Sequence, residues 1–282
     1  MVKIITFLKE RKIIAGLIAL TFYVLVVSQH LEFGKFLAKT LDKPLGRETY
    51  NLIVLSGSIF LLIAFLFWFY KGWKQLPKTD QNRLLKYVLF SIVFIVIALK
   101  VIIVVNVELI HILQYAIMAI LLFPLIGHYN ETLFWTNVLG ALDELYQYIY
   151  LSPEKADYFD FNDVIINLLG VALGLIILRS KGILGFRKVP KGVKSPRFIA
   201  LSITALIIGI LFLIEQLTIY PSAYDHPVLF EFIRDFKPGF WRIVHPNVNF
   251  HVVQPLEGMI ILVLLFAFYT GIEGKISENT HK

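Results

Sequence analysis

A chain of 282 residues that is 57% hydrophobic and 15% aromatic, with a mean hydropathy of +0.73, is too apolar for an ordinary soluble domain. Its formal charge of +7 does not indicate nucleic-acid binding, because the basic residues cluster between apolar segments, as in the cytoplasmic loops of membrane proteins. The absence of cysteine excludes disulfides, thiolate metal sites and a Cys nucleophile. The composition therefore predicts an all-α, polytopic integral membrane bundle that associates with the lipid bilayer.

Eight segments approach the roughly 20 apolar residues that a helix needs to cross a bilayer. In chain order they are residues 9–28, 51–71, 86–105, 107–127, 131–151, 162–179, 197–218 and 255–273. The first follows a basic start like that of a signal peptide, but no small-x-small cleavage signal follows it, so we expect an uncleaved anchor. The third and fourth are nearly contiguous, and we expect them to form a tight helical hairpin around Asn106.

The basic residues predict the orientation of these spans. The N-terminus, the linkers 71–86 and 179–197 and the tail after residue 273 carry more than twice as many Lys and Arg residues as the connections on the other side. The positive-inside rule then predicts that both termini are cytoplasmic. The long segment 219–254 would be external, where it can cap a polar site, and we expect a short interfacial helix at 227–236.

Three of the apolar segments carry polar residues at the spacing of one helix face. These stripes are Glu108, His111 and Tyr115 in the fourth segment, Asn137, Gly140, Glu144 and Gln147 in the fifth, and Asp160, Asp163, Asn167, Gly170 and Gly174 in the sixth. Ionisable groups inside a membrane are costly, so they face the bundle interior and mark function. The stripes converge in the predicted outer half of the membrane. Gly170 and Gly174 predict a close approach between helices.

Glu144, Asp163 and His111 are the candidate catalytic residues. One of the two carboxyl groups would hold a proton while the other acts as a base, and His111 would share the proton transfer. Alternatively, His111 with Glu108 and the Asp residues would hold a divalent cation that polarises a phosphate or acyl group. No Ser or Thr lies in the stripes, which disfavours a covalent triad.

Further residues are candidates for binding, and others receive a structural interpretation. Lys100 lies at a depth where it can join the acidic groups, although its stem can equally snorkel outward. Asp143 lies off the main stripe. The candidate binding residues are Glu108, Tyr115, Gln147, Asp160, Asn167 and Lys100. The residues interpreted as an interfacial aromatic belt are Tyr146, Tyr148, Tyr150, Tyr158 and Phe161.

Two other classes of function remain open. A satisfied polar network can fix one packing arrangement without chemistry, which would make the protein a membrane scaffold or interaction protein. A transporter is a further alternative. Transporters typically have duplicated halves with broken helices and a midplane site, and neither is evident in this sequence.

The joint spacing of the stripes resembles the VanZ-like family of bacterial membrane proteins. The motif runs Glu108-x-x-His111-x-x-x-Tyr115, Glu144-x-x-Gln147, a Pro, and Asp163-x-x-x-Asn167-x-x-Gly170-x-x-x-Gly174. The resemblance covers roughly residues 108–178. Three departures stand out: Gln114 replaces a common Glu, Lys155 replaces the usual Arg and cannot form its bidentate fork, and the link from Lys155 to Asp163 is longer than usual.

The resemblance implies an organisation and a role. It implies a four-span core at 86–180, with accessory spans in 1–85 and 181–282, in the bacterial cytoplasmic membrane. The family name implies resistance to the glycopeptide teicoplanin. A lipid-linked envelope precursor or a glycopeptide is then the expected partner.

Overall fold

The computed structural model describes residues 1–103, 106–151, 157–190, 192–220, 225–234, 241–245 and 248–273. Helices dominate these residues. They are α1 Val2–Glu10, α2 Lys12–Leu37, α3 Lys43–Leu45, α4 Arg47–Trp73, α5 Lys78–Val101, α6 Ile110–Ile126, α7 Tyr129–Tyr146, α8 Phe161–Ser180, α9 Pro196–Leu213 and α10 Pro255–Tyr269. Between α9 and α10 lie strands β1 Leu217–Thr218, β2 Phe230–Glu231, β3 Trp241–His245 and β4 Val248–His251.

Six segments of the described chain are long and apolar enough to cross a membrane. They are Lys12–Gln29, Glu48–Trp73, Lys78–Val101, Phe161–Ser180, Pro196–Leu213 and Pro255–Ile272. Helix α6 is apolar but shorter, and α7 carries Glu131, Asp143 and Glu144 within its length. These helices support a multi-pass membrane protein built as a helical bundle. The total of eight spans and the cytoplasmic location of both termini stay predictions.

Helix α8 is the centre of the bundle. Every residue from Val164 to Ser180 is buried, because α8 packs against α4, α5, α6, α7 and α10. Helix α9, in contrast, has no buried residue along its length. Helices α5 and α6 do not form the expected tight hairpin in the described residues, where each of them packs mainly on α8.

The closest helix contact joins α8 to α6. A Cβ atom at Gly170 would lie 2.5 Å from the Ile112 carbonyl oxygen, and one at Gly174 would collide with the carbonyl oxygen of Ala116. Only glycine allows the two backbones to approach this closely. The predicted close approach is confirmed, and it sets the first turns of α6 against the middle of α8.

The strands lie at one end of the bundle, and we call the described residues among 217–251 the strand segment. Strand β1 pairs in parallel with β2, and β3 pairs with β4 as an antiparallel hairpin. The interfacial helix expected at 227–236 is wrong over the described residues 225–234, which hold β2 instead. Backbone hydrogen bonds from Phe159 to Phe232, and from Arg234 to Asp157, fasten the strand segment to the chain that enters α8.

The two ends of the bundle differ in character. The strand end carries the strand segment, the π-helical turn Gln147–Leu151 and the start of α8. The basic end carries the turn between α6 and α7 and the Lys/Arg-rich chain between α8 and α9.

Candidate functional site

The candidate site lies where α6, α7 and α8 meet, near the strand end. His111 Nε2 is 3.8 Å from Asp163 Oδ2, and His111 Nδ1 is 4.0 Å from Glu144 Oε1. One possible metal-ligand atom from each of these three residues lies within 4.8 Å of the other two. The side chains of His111, Glu144 and Asp163 are 0%, 3% and 13% exposed. The structure thus brings together all three candidate catalytic residues, one from each helix.

Amide side chains hold the site in place. His111 Nδ1 lies 3.0 Å from Asn167 Oδ1, so the ring donates its Nδ1–H to the amide oxygen and directs Nε2 towards Asp163. Gln147 Nε2 donates to both Asp143 Oδ1 and Glu144 Oε1, each at 3.3 Å. Two of the predicted binding residues, Asn167 and Gln147, therefore contact the site directly.

Asp143 belongs to the site, although sequence reasoning placed it off the main stripe. Its side chain is fully buried and accepts a hydrogen bond of 3.0 Å from the hydroxyl of Tyr115, a predicted binding residue. Tyr115 lies one turn after His111 on α6, and their rings are parallel. The four-residue step from Asp143 to Gln147 was the available signal. We call His111, Asp143, Glu144 and Asp163 the acid cluster.

Asp160, a predicted binding residue, stands directly before α8. It precedes α8 in an extended conformation, and its carboxylate accepts hydrogen bonds from the backbone N–H groups of Asn162 (2.9 Å) and Asp163 (3.4 Å). This is the arrangement of a helix N-cap. Asp160 therefore orients the turn that carries Asp163.

Asn162, which sequence reasoning missed, ties the first turn of α8 to its surroundings. Its Nδ2 donates to the carbonyl oxygens of Ile102 and His251, and its Oδ1 accepts from the N–H of Val253. These three contacts connect α8 to the end of α5 and to the strand segment. Asn162 thereby fixes the helix on which Asp163 and Asn167 stand.

Two predicted binding residues lie outside the acid cluster. Lys100 is exposed on α5 and does not join the buried groups. Glu108 is partly buried in the 3-10 turn Asn106–Leu109, before α6. Lys155, a departure from the family motif, falls outside the described residues.

The expected aromatic belt divides into two sets. Tyr146 and Tyr150 are 40% and 70% exposed, as an interfacial belt requires. Tyr148 and Phe161 are buried instead, so the belt interpretation is wrong for them, and Tyr158 is partly buried. The Tyr148 hydroxyl donates to the carbonyl oxygen of Glu231 at 2.6 Å, and its ring packs against Phe230. These contacts pack β2 against the π-helical turn that follows α7.

The charge of the acid cluster is not balanced by nearby basic side chains. Within the part of the chain that the structure describes, no Lys or Arg forms an ion pair with Asp143, Glu144 or Asp163. A buried carboxylate without a cationic partner is costly unless it takes up a proton or binds a cation. The cluster is therefore suited either to proton transfer between carboxyl groups or to holding a metal ion.

The motif that resembles the VanZ-like family is only partly concentrated in this site. His111, Tyr115, Glu144, Gln147, Asp163 and Asn167 meet there. Membership of the family stays a prediction. Comparison of the chain with known protein families, with curated proteins and with solved structures finds no match.

Proposed function

We propose that this chain is a VanZ-like protein of the bacterial cytoplasmic membrane, and that it binds or processes an amphiphilic component of the cell envelope at the outer leaflet. A lipid-linked envelope precursor is the substrate class that we favour, and altered sensitivity to teicoplanin-like glycopeptides is the expected consequence. The observation that carries the proposal is the acid cluster, because its buried carboxyl groups have no basic partner among the described residues.

The geometry suits acid and base catalysis on a headgroup. Asp163 is the most exposed of the three candidate catalytic residues, so the headgroup would enter beside it. One carboxyl group of Glu144 and Asp163 would donate a proton to the leaving oxygen, while the other accepts a proton from the attacking hydroxyl or water. His111 lies within 4.0 Å of both and can carry the proton between them.

The orientation behind this proposal can be tested by labelling, because the chain has no cysteine of its own. Asn249 at the strand end and Lys188 at the basic end are both exposed. We expect Asn249→Cys to react with an impermeant maleimide in intact spheroplasts, and Lys188→Cys to react only after lysis. The opposite pattern would overturn the location of the site at the outer leaflet.

The function itself is tested by mass spectrometry of envelope lipids and lipid-linked precursors. Cells without the native copy would carry wild type, Glu144→Gln or Asp163→Asn at matched expression. Glu131→Gln is the control, because Glu131 is also buried on α7 but lies at the basic end near Arg197. We expect one species to accumulate with both site variants and not with the control, and teicoplanin sensitivity to change in the same cells.

A scaffold is the second candidate, and one observation favours it. Asp143 accepts hydrogen bonds from both Tyr115 and Gln147, as a structural network requires. Glu144→Gln separates the two functions, since it keeps an amide that can hydrogen-bond while it removes the proton transfer. Unchanged lipid profiles together with a full return of wild-type phenotypes would overturn the processing function and favour the scaffold.

A further inference from the structure

We propose that His111, Glu144 and Asp163 bind one divalent transition-metal cation of the Mn²⁺ or Zn²⁺ class. The three residues come from three helices, and one ligand atom from each lies within 4.8 Å of the other two. Metal–ligand distances of about 2.0–2.2 Å would require these atoms to draw together by only a small side-chain movement. An imidazole ligand beside two carboxylates favours a transition metal over Mg²⁺ or Ca²⁺, which prefer oxygen ligands alone.

The orientation of His111 fits the role of a metal ligand. A histidine that binds a metal through one ring nitrogen almost always donates the N–H of the other to an acceptor, which fixes the ring. Here Nδ1 lies 3.0 Å from Asn167 Oδ1, and Nε2 faces Asp163 Oδ2 at 3.8 Å. The ring is therefore held with Nε2 directed at Asp163, while Nδ1 lies 4.0 Å from Glu144 Oε1.

Asn167 supplies an independent observation. The residue is fully buried, and its Nδ2 makes no hydrogen bond of 3.5 Å or less, although it lies close enough to Glu144 to interact with that carboxylate. This donor points at α7, where it lies 3.1 Å from the place that a Cβ atom would occupy at Gly140, one turn before Glu144. Carboxylates that bind metals are themselves hydrogen-bonded. The unfilled donor is available to the second oxygen of Glu144 when the first binds the cation.

The cation also resolves a conflict of charge. Three buried carboxyl groups would repel a phosphate headgroup, and no Lys or Arg in the described chain offsets them within the cluster. A divalent cation neutralises two charges, and three protein ligands leave positions open for water or for an oxygen of the substrate. With the cation bound, Glu144 and Asp163 serve as ligands instead of transferring protons, and polarisation of the substrate oxygen replaces that step. This consequence rests on the proposed function, whereas the binding of the cation does not.

The test is direct measurement of metal binding to the full chain in nanodiscs, after treatment with a chelator and removal of any affinity tag. Equilibrium dialysis against Mn²⁺ or Zn²⁺ with elemental analysis should give one equivalent per chain. We expect His111→Gln, Glu144→Gln and Asp163→Asn to lose this equivalent. Asn167→Ala should weaken binding by about tenfold or more, as loss of a group that orients a ligand does. Glu131→Gln should bind as wild type does.

Thermal unfolding keeps the test valid if a variant folds poorly. Saturating cation should raise the Tm of wild type and of Glu131→Gln, and should leave the Tm of the three ligand variants unchanged. Absence of a bound equivalent in wild type, or equal binding by all variants, overturns the inference. Absence of metal binding with an intact lipid phenotype would leave the proposed function standing, and bound metal without a lipid phenotype would reject that function alone.

Discussion

Carboxylates are buried at both ends of the bundle, but only those at the basic end are paired with basic side chains in the described residues. At the basic end, Asp80 pairs with Arg179 at 2.7 Å and with Arg83 at 2.8 Å, and Glu131 lies 3.7 Å from Arg197. At the strand end, the acid cluster has His111 as its potential cation and no described Lys or Arg.

This difference separates a structural use of charge from a functional one. A buried ion pair needs its partner, because removal of one member leaves an uncompensated charge. An uncompensated acidic group weakens the fold by itself, and folds retain such groups where binding or chemistry needs them. Substitution of Asp80 at the basic end should therefore destabilise the protein, and substitution of Glu144 in the acid cluster should not.

The largest expected effect is that of Asp80→Asn. Arg179 is 6% exposed, so loss of the Asp80 carboxylate leaves a buried guanidinium without its anion. We expect the free energy of unfolding to fall by about 3–5 kcal/mol, measured by denaturant titration in detergent micelles. Glu10→Gln, which alters an exposed carboxylate on α1, should change it by less than about 0.5 kcal/mol. Equal effects of the two substitutions would contradict the structural role of the pair.

The next effect is that of Gly170→Ala, which tests whether the acid cluster depends on close packing of α6 on α8. The added Cβ would lie 2.5 Å from the Ile112 carbonyl oxygen, so the helices must separate. Overpacking of this kind costs about 1–3 kcal/mol, and it should also move His111 away from Asp163 and weaken metal binding. Gly209→Ala on α9, where nothing lies within 4 Å of the added atom, should leave metal binding unchanged and should not lower the free energy of unfolding.

Glu144→Gln should change the free energy of unfolding in the opposite direction from Asp80→Asn. Without metal, the substitution removes one of three buried carboxyl groups that have no described basic partner, while the amide keeps the size of the side chain. We expect the unfolding free energy in the presence of a chelator to stay the same or to rise by up to about 2 kcal/mol. A loss as large as that of Asp80→Asn would assign the acid cluster a structural role instead.

The helical periodicity of the sequence predicted the site residues that lie on a single polar face of their helix. His111, Glu144, Asp163 and Asn167 follow such stripes and meet as expected. The stripe on α7 did not include Asp143. Helix α7 packs against both α6 and α8, so its interior face is wider than one stripe. Adjacent residues can then both point inward.

Other features depend on contacts that periodicity does not describe. Asp160 follows the stripe by spacing, but the helix begins after it, and an Asp before a helix is a known N-cap signal. Strands β1 and β2 have two residues each and pair across a long stretch of chain, so no local pattern indicates them. The depth of Lys100 was inferred from its position in the span, but its direction depends on which face of α5 packs on α8.

The smallest expected effect concerns pH at the basic end, where His128 Nε2 lies 3.5 Å from Glu273 Oε2. An ion pair would raise the pKa of His128 and lower that of Glu273. Burial has the opposite effect on each group. It lowers the pKa of His128, and the positive charge of Arg197 lowers that pKa further. It raises the pKa of Glu273, although the positive charges of Arg197 and Arg179 oppose this rise. The contact therefore favours the neutral forms of both groups.

The two groups should destabilise the fold at opposite ends of the pH range. The stability that Glu273 contributes is present below its ordinary pKa of 4.5 and is lost as pH rises through the raised value. The stability that His128 contributes is present above its ordinary pKa of 6.5, and it is lost as pH falls through the lowered pKa of the folded state. Thermal melts should thus give Glu273→Gln its greatest gain in Tm over wild type at pH 8, and His128→Gln its greatest gain at pH 5. A difference from wild type that does not vary with pH would indicate that charge at this contact is balanced after all, as it is at Asp80.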